Sequence, residues 1–220
     1  MQYIHRFDDG TAFHLPLGKV VCVGRNYAEH ARELNNPVPA EPILFIKPAT
    51  AVQPLAEPVR WPAGRGECHH EVEIAILVGA TLKDADEATA VQAIAGIGLA
   101  LDLTLRDLQS KLKEKGHPWE IAKAFDGACP LSQFVRPERV RDLADLPLRL
   151  SINGEVRQDG NSSQMLTSIP RLLSYISQHF TLEPGDVVLT GTPAGVGPLR
   201  SGDQLCAELG DLLSVTTSVA

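Results

Sequence analysis

Two glutamates stand one residue apart inside an otherwise apolar stretch, residues 67–79, which reads ECHHEVEIAILVG. In an extended chain successive side chains point to opposite faces, so Glu71 and Glu73 share a face with Ala75 and Leu77. Because that face is otherwise small or apolar, it does not have the character of an ordinary solvent face. The two carboxylates are therefore expected either at a wet rim of the strand or against positive charge.

A third carboxylate, Asp102, lies inside another apolar run, GLALDLTL. In an extended chain it shares a face with Ala100 and Thr104, while leucines occupy the opposite face. Three buried carboxylates repel one another and lose hydration, so they need protons or a cation to coexist. Hard oxygen ligands favour Mg²⁺, Mn²⁺ or Ca²⁺ over zinc. Each acid alone is explained by a salt bridge or by exposure at a strand end, but for the three together we favour a metal site.

A possible general base lies earlier in the chain, in the segment NYAEHAREL. His30 and Glu33 are three residues apart, so on a helix they lie side by side. A carboxylate beside an imidazole orients the ring and raises its basicity, which is what a general base requires. On spacing alone, an exposed His–Glu pair on a solvated helix is the simpler interpretation.

Two further segments could bind an anion. Lys123, in WEIAKAFDGACP, is either a surface residue or a short-range cation for an anionic substrate. The turn-rich stretch TGTPAGVG, residues 190–197, could hold a carboxylate or oxyanion with its backbone N–H groups. It is not a Walker loop, because no Gly-Lys-Ser/Thr follows it.

The composition excludes some classes of protein. A formal net charge of −7 argues against binding to nucleic acid or to an anionic membrane through bulk electrostatics. No signal-peptide pattern opens the sequence and no apolar run approaches about 18 residues, so we expect a cytoplasmic protein. The four cysteines form no CxxC pair, and the adjacent Cys68, His69 and His70 cannot easily face one ion from a strand, which disfavours zinc.

The elements that would position these residues are mixed rather than regularly alternating. The sequence predicts a strand pair with a DDG turn in a short N-terminal appendage, residues 1–17, followed by a single domain, residues 18–220. Strands are predicted at 19–24, 43–47, 71–79 and 96–105, a hairpin at Asn153-Gly154, and helices at 26–34 with Asn26 as N-cap, 84–95, 106–116 and 169–180. This order predicts an α+β fold rather than a doubly wound sheet.

Taken together, these pieces resemble the fumarylacetoacetate hydrolase family. The resemblance rests on GRNYAEHAREL, ILFIKPATAV, HHEVEIAILVG, LALDLTLRDLQ, WEIAKAFDGACP, NGEVRQDGNSSQM and VVLTGTPAGVGP, which follow the family order from Gly18 to the C-terminus. It is closest to the short single-domain branch of acylpyruvases and oxaloacetate-handling enzymes. The resemblance implies an α+β roll of layered mixed β-sheets with a few peripheral helices, generally assembled as a homodimer.

The resemblance also implies a role for each candidate residue. Glu71, Glu73 and Asp102 match the family's carboxylates for Mg²⁺ or Mn²⁺, while His30 and Glu33 match its catalytic dyad and Lys123 its active-site lysine. The positions that match substrate contacts are Arg106, Gln109, Gly191 and Thr192, with Arg25 and Lys47 as additional candidates. The loop 35–42 matches no particular substrate.

The implied activity is metal-dependent chemistry on a 2-oxo acid. Our first hypothesis is hydrolysis of an acylpyruvate: His30 activates water, a carbon–carbon bond breaks, and a carboxylic acid and pyruvate leave. Lys123 and the Gly191–Thr192 segment would stabilise the enolate charge, with the metal as Lewis acid. Alternatives are oxaloacetate decarboxylation or keto–enol tautomerisation, and then isomerisation or decarboxylation of 2-hydroxyhepta-2,4-diene-1,7-dioate in aromatic catabolism. A non-catalytic metal- or metabolite-binding protein is the non-enzyme alternative, and the dyad and Lys123 argue against it.

Overall fold

The computed structural model describes residues 3–33 and 37–220. Within them the strands are β1 Lys19–Gly24, β2 Ile43–Pro48, β3 Val52–Pro54, β4 Cys68–His70, β5 Val72–Val78, β6 Ile94–Leu101, β7 Thr104–Leu105, β8 Cys129–Leu131, β9 Pro147–Ile152, β10 Glu155–Asn161, β11 Val187–Leu189, β12 Gly197–Pro198, β13 Gln204–Leu209 and β14 Leu213–Ser218. The α-helices are α1 Ala28–Glu33, α2 Glu87–Gln92, α3 Arg106–Glu114, α4 Glu120–Lys123 and α5 Ile169–His179. None of these helices has the length and apolar character needed to span a bilayer.

The strands form three sheets. The largest has seven strands in the order β2-β1-β11-β5-β6-β8-β3 and is mixed, because β1 pairs parallel with β11 and β3 parallel with β8. A four-stranded antiparallel sheet has the order β10-β9-β13-β14, and a three-stranded sheet has the order β12-β4-β7. The predicted α+β fold of layered mixed sheets with few helices is confirmed.

Strand β5 lies in the middle of the large sheet and is buried on both faces. One face packs into a core shared with β9, β13 and α5 and carries Val72, Ile74, Ile76 and Val78. On the other face, Ala75 and Leu77 pack into a second cluster with Phe7 and Phe134. The alternation predicted for this strand is therefore correct, and no face of it is a solvent face.

The predicted strand 96–105 is wrong in one respect that matters for the site. The chain leaves the large sheet after Leu101 and re-enters a sheet, the three-stranded one, only at Thr104. Between them the N–H of Asp102 donates to the Glu71 carbonyl at 2.8 Å, and the N–H of Leu103 donates to the Ala128 carbonyl at 3.0 Å. Asp102 thus stands at a strand end, where its side chain need not follow the pleat.

The other predicted boundaries differ by smaller amounts. Helix α2 is shorter than predicted, because Asp86 caps it by accepting from the N–H of Thr89 and Ile94 already belongs to β6. The N-terminal strand pair is reduced to one bridge, Arg6–Ala12. The hairpin is confirmed: Asn153 and Gly154 have φ of 53° and 82°, as a type I′ turn requires.

Helix α1 begins at Ala28, so Asn26 is not its N-cap. The Asn26 side chain instead accepts from the N–H of Thr167 at 2.8 Å and donates to the Thr190 carbonyl at 2.8 Å. It therefore joins the end of β1 to the segment that follows β11. The predicted end of this helix at residue 34 and the first two residues of the loop 35–42 lie outside the described residues.

Candidate metal and active site

The three predicted metal carboxylates meet at one end of the β5–β6 pair. Antiparallel pairing places Val72 opposite Leu101, so the residues just beyond them, Glu71 and Asp102, face each other. Ligand oxygens of Glu71, Glu73 and Asp102 all lie within 4.8 Å of one another, and all three residues are buried. We call these three residues the carboxylate triad. They come from one strand pair, and the interruption of the strand after Leu101 brings the Asp102 side chain next to the two glutamates.

Three buried or partly buried cations compensate this charge. Lys123 Nζ lies 2.8 Å from Glu71 Oε2 and 2.6 Å from Asp102 Oδ2. Arg106 forms an ion pair with the other oxygen of Glu71. Lys47 Nζ lies 2.7 Å from Asp102 Oδ1. All of these ion pairs are therefore made by Glu71 and Asp102.

Glu73 is the carboxylate without a cationic partner in this set. Burial raises its pKa well above the ordinary value, and the charges of Asp102 and Glu71 raise it further. Its Oε2 accepts a hydrogen bond from the Gly191 N–H at 2.6 Å. For Glu71, by contrast, burial is outweighed by Lys123 and Arg106, which hold its pKa below the ordinary range. Glu73 is therefore the member of the triad that most resists losing its proton while no cation is bound.

The donor set fits a divalent cation. Asp102 Oδ1 is buried and has no hydrogen-bond partner among the described residues, since Lys47 is near it without hydrogen-bond alignment. Mg²⁺ or Mn²⁺ would stabilise this set of hard oxygen donors. Asp102 Oδ1 lacks an aligned hydrogen bond, and ionisation of Glu73 is opposed by the charges of Glu71 and Asp102. Within residues 3–33 and 37–220, the triad is the single group of three candidate ligand side chains with this closeness.

Lys47 does not have the position of a substrate contact. Its side chain is fully buried, and its ammonium group also donates to the backbone carbonyls of Lys123 and Ala128. It therefore lies behind the triad and ties β2 to the end of α4. Its role is to support Asp102 and Lys123 from inside the protein.

The predicted dyad is formed and borders the same cleft. His30 is buried, and its Nδ1 lies 3.2 Å from Glu33 Oε2. The other oxygen of Glu33 accepts from the Gly195 N–H at 3.0 Å. His30 is close enough to the triad for its charge to contribute to the lowered pKa of Glu71. An isolated His–Glu pair on a solvated helix, the simpler interpretation of the spacing, is therefore wrong for His30.

A narrow cleft brings most of the predicted residues together. It is lined by the carboxylate triad, His30 and Lys123, and on the substrate side by Arg25, Arg106, Gln109 and Thr192. Glu33 and Gly191 act on it indirectly, through their bonds to His30 and Glu73. Gly191 has φ of 94°, and a Cβ there would lie 2.7 Å from the Asn26 side chain, so only glycine fits.

Two residues that border or support the cleft, Lys113 and Gln158, were not expected from the sequence. Lys113 lines the cleft from α3, on the face that also carries Arg106 and Gln109. The spacing of three and then four residues along one helix was the available signal. Gln158 is a buried residue of β10 that binds the segment around Thr192, and nothing in its local sequence indicated this.

Comparison with known proteins agrees with this geometry. A family model described as "Fumarylacetoacetate (FAA) hydrolase C-terminal" matches residues 19–220. The chain is 53% identical to oxaloacetate tautomerase YcgM of Escherichia coli (strain K12) over 99% of both chains. It is 44% identical to a mitochondrial oxaloacetate decarboxylase of Dictyostelium discoideum over 84% of this chain and 85% of that protein.

A solved structure gives the same result for the fold. The crystal structure of fumarylpyruvate hydrolase from Pseudomonas aeruginosa, in complex with Mn²⁺ and pyruvate, superposes with a TM-score of 0.93 at 34% identity and covers 100% of this chain and 96% of that one. The resemblance seen in the sequence motifs is confirmed. The chain belongs to the fumarylacetoacetate hydrolase family of enzymes.

Proposed function

We propose that this enzyme interconverts the keto and enol forms of oxaloacetate with a divalent cation, Mg²⁺ or Mn²⁺, held by the carboxylate triad. The observation that carries the proposal is the meeting of a buried base, His30, with the triad and Lys123 in one cleft. The 53% identity to the Escherichia coli oxaloacetate tautomerase, over nearly the whole length of both proteins, supports this choice of reaction.

The residues of the cleft provide what a tautomerisation requires. A cation held by Glu71, Glu73 and Asp102 would supply Lewis-acid polarisation of the 2-oxo acid. His30 engages Glu33 through Nδ1, so Nε2 is the nitrogen that can take the proton from carbon and deliver one to the enolate oxygen, and the reverse transfer restores the keto form. Tautomerisation needs only this exchange and no attacking water.

Lys123 has one donor left for the substrate. An ammonium group has three N–H bonds, and two of those of Lys123 point to Glu71 and Asp102. The third can donate to the oxygen that gains charge in the enolate, which stabilises that charge in a site with little water. Lys123 thus serves the metal carboxylates and the reacting oxygen together.

The rim of the cleft suits a substrate with two carboxylates. Arg25, Arg106 and Lys113 all line it. Burial lowers the pKa of Lys113, and the charges of Arg25 and Arg106 lower it further, so the three cations lie near one another. A second carboxylate among them would relieve this repulsion, and oxaloacetate has one where acetylpyruvate has a methyl ketone.

Hydrolysis of an acylpyruvate is the second candidate, because the Pseudomonas neighbour is named a fumarylpyruvate hydrolase. It would use the same residues, with His30 activating water rather than moving a proton on carbon. Decarboxylation of oxaloacetate, named for the Dictyostelium relative, needs the enolate stabilisation alone. Isomerisation of a dienoic diacid is the remaining possibility in this family.

One set of assays separates these reactions. Metal-free protein, protein reloaded with Mg²⁺ or Mn²⁺, and the metal salts alone are compared for enol-to-keto conversion of oxaloacetate, for pyruvate release from oxaloacetate, and for acetylpyruvate and fumarylpyruvate cleavage. We expect tautomerisation to have the highest kcat/KM and to need both metal and protein. A higher kcat/KM for an acylpyruvate, with tautomerisation no faster than with the salt alone, would establish the hydrolase instead.

We also propose that the enzyme works as a homodimer, as the family resemblance implies. Sedimentation equilibrium at assay concentrations tests this, and a monomeric mass would contradict it. The division of the chain into an appendage, residues 1–17, and a catalytic domain, residues 18–220, stays a prediction that limited truncation can test.

A further inference from the structure

The segment of residues 190–195, called here the 190–195 loop, touches both halves of the site through its backbone. The N–H of Gly191 donates to Glu73 of the triad at 2.6 Å. The N–H of Gly195 donates to Glu33 of the dyad at 3.0 Å. One short loop thus binds both carboxylates through its backbone. The Gly191 amide holds Glu73 of the proposed metal site, and the Gly195 amide holds Glu33, which orients His30. The distance between base and metal site depends on the shape of this loop.

The 190–195 loop is fixed from below by one buried side chain. Gln158, in β10, donates from Nε2 to Thr192 Oγ1 at 2.7 Å and to the Pro193 carbonyl at 2.9 Å. Its Oε1 accepts from His70 Nδ1 at 2.9 Å and from the N–H of Val72 at 3.0 Å. A glutamine has two N–H donors and an oxygen with two lone pairs, so every hydrogen-bonding position of Gln158 is used.

These four bonds join the loop to the strand that carries the metal carboxylates. Two of them reach residues 192 and 193, and two reach residues that flank Glu71. The Thr192 hydroxyl completes the link, because it accepts from Gln158 and donates to the Val72 carbonyl at 2.8 Å. That hydroxyl is therefore committed to holding the loop.

The loop also lies directly on β10. A Cβ at Gly195 would be 1.9 Å from the Arg157 carbonyl oxygen, and a Cβ at Gly160 would be 2.6 Å from the Pro193 side chain. Because the backbones are already in such close contact, the loop cannot move any nearer to β10. The two hydrogen bonds from Gln158 are among the contacts that keep it from lifting away.

We infer that Gln158 is a positioning residue that couples the dyad to the metal site. By fixing Thr192 and Pro193, it holds the amides of Gly191 and Gly195 where they meet Glu73 and Glu33. Gln158 itself is fully buried beneath the loop and outside the cleft lining. The inference rests on the proposed role of His30 and Glu33 as the base of the reaction.

The variant Gln158→Glu isolates the two bonds that matter. It has almost the same shape and keeps an oxygen for His70 and Val72, but it loses the amide donor to Thr192 and Pro193. Gln204→Glu is the matched control, because Gln204 is an exposed residue of β13 in the same sheet and its side-chain amide donates to the Gly202 carbonyl, away from the loop. Both proteins are first compared with the wild type by thermal unfolding.

Hydrogen exchange tests the link without any substrate. In Gln158→Glu we expect faster exchange over residues 190–195 and also over α1, because Glu33 loses its anchor at Gly195. Gln204→Glu should match the wild type in both segments. Unchanged exchange in α1 of Gln158→Glu would overturn the inference. This readout stands even if the wild type proves inactive on oxaloacetate, an outcome that would reject the proposed function alone.

A double-mutant cycle tests the role in turnover. Gln158→Glu should lower kcat for the reaction by about tenfold with KM changed less than about twofold, because alignment of the base is lost and substrate binding is kept. In a Glu33→Ala background the same substitution should cost less than about twofold, since the two changes break one chain of contacts. Equal losses in both backgrounds would show that Gln158 does not act through Glu33 and would overturn the coupling of dyad and metal site.

Discussion

The ammonium group of Lys47 lies 2.7 Å from Oδ1 of Asp102, below the cleft, where neither side chain meets solvent. This pair places a fixed positive charge beneath a carboxylate that also faces the proposed metal. Lys47 therefore compensates part of the negative charge of Asp102 even when no cation is bound in the cleft.

Loss of Lys47 should destabilise the metal-free protein. In Lys47→Met the buried Asp102 loses one of its two cations, and breaking a buried ion pair from one side costs about 3 kcal/mol or more in the free energy of unfolding. Saturating Mn²⁺ should restore part of this loss, because the ion replaces positive charge beside Asp102. Urea unfolding with and without Mn²⁺ measures both effects. Lys83→Met, at an exposed lysine, is the control. Equal stability of Lys47→Met and the wild type without metal would contradict the account.

Loss of the base should affect turnover far more than binding. We expect His30→Gln to lower kcat by about 10²-fold or more with little change in KM, because a positioned general base contributes on that scale. Steady-state kinetics with metal-loaded protein measure this. His14→Gln, at an exposed histidine, should behave like the wild type. If His30→Gln turned over at the wild-type rate, His30 would not be the base.

Loss of a rim cation should raise KM for a dicarboxylate selectively. Removing Arg25 as Arg25→Met should raise KM for oxaloacetate about tenfold, the equivalent of about 1.4 kcal/mol, while the inhibition constant of pyruvate stays near its wild-type value. Pyruvate lacks the second carboxylate, so its affinity should not depend on Arg25. Lys113→Met should act in the same direction. An equal loss of affinity for both ligands would place Arg25 at the first carboxylate instead.

The buried His5 should make the protein less stable in mild acid. Its Nε2 donates to the Gly185 carbonyl at 2.8 Å, and Tyr3, Phe13 and Phe134 surround the ring. Burial lowers the pKa of His5, and the Gly185 carbonyl and Asp186 oppose this only in part. Since its folded pKa lies below the unfolded value of about 6.5, the unfolded chain binds more protons there. The contribution of His5 is therefore complete above about pH 6.5 and is lost as the pH falls from that value toward the folded pKa.

His5→Gln keeps a donor for the Gly185 carbonyl and removes the titration. Unfolding free energies at several pH values between about 7.5 and 5 should then fall less steeply for the variant than for the wild type. Other histidines contribute equally to both proteins, so the difference isolates His5. Identical slopes would show that His5 accepts a proton in the folded protein as readily as in the unfolded chain.

The sequence was most informative where local rules decide the outcome. The period of two along β5 predicted which residues share a face with Glu73, because a strand buried on both sides cannot change its alternation. The Asn153-Gly154 turn was equally predictable, because few residues other than Asn and Gly adopt its positive φ angles. The same local regularity placed Arg106 and Gln109 side by side on α3.

Features set by distant contacts were beyond local rules. The break after Leu101 depends on Asp102 bonding to the Glu71 backbone, a contact across two strands. Asn26 has the side chain of a helix cap, yet its contacts with Thr167 and Thr190 determine its place. Gln158 belongs to the four-stranded sheet and meets the site through the 190–195 loop and through the residues that flank Glu71. No spacing within any one segment carries this information.

The central claim is that the carboxylate triad binds a divalent cation, and calorimetric titration of Mn²⁺ into metal-free protein tests it most directly. We expect one ion per chain for the wild type and an affinity lower by about a hundredfold or more for Glu73→Gln, since loss of a ligand should cost at least as much as loss of a ligand's support. Glu208→Gln, which changes a half-buried carboxylate of β13, should bind like the wild type. A wild-type protein that takes up no Mn²⁺, or a Glu73→Gln variant that binds it unchanged, would contradict the account.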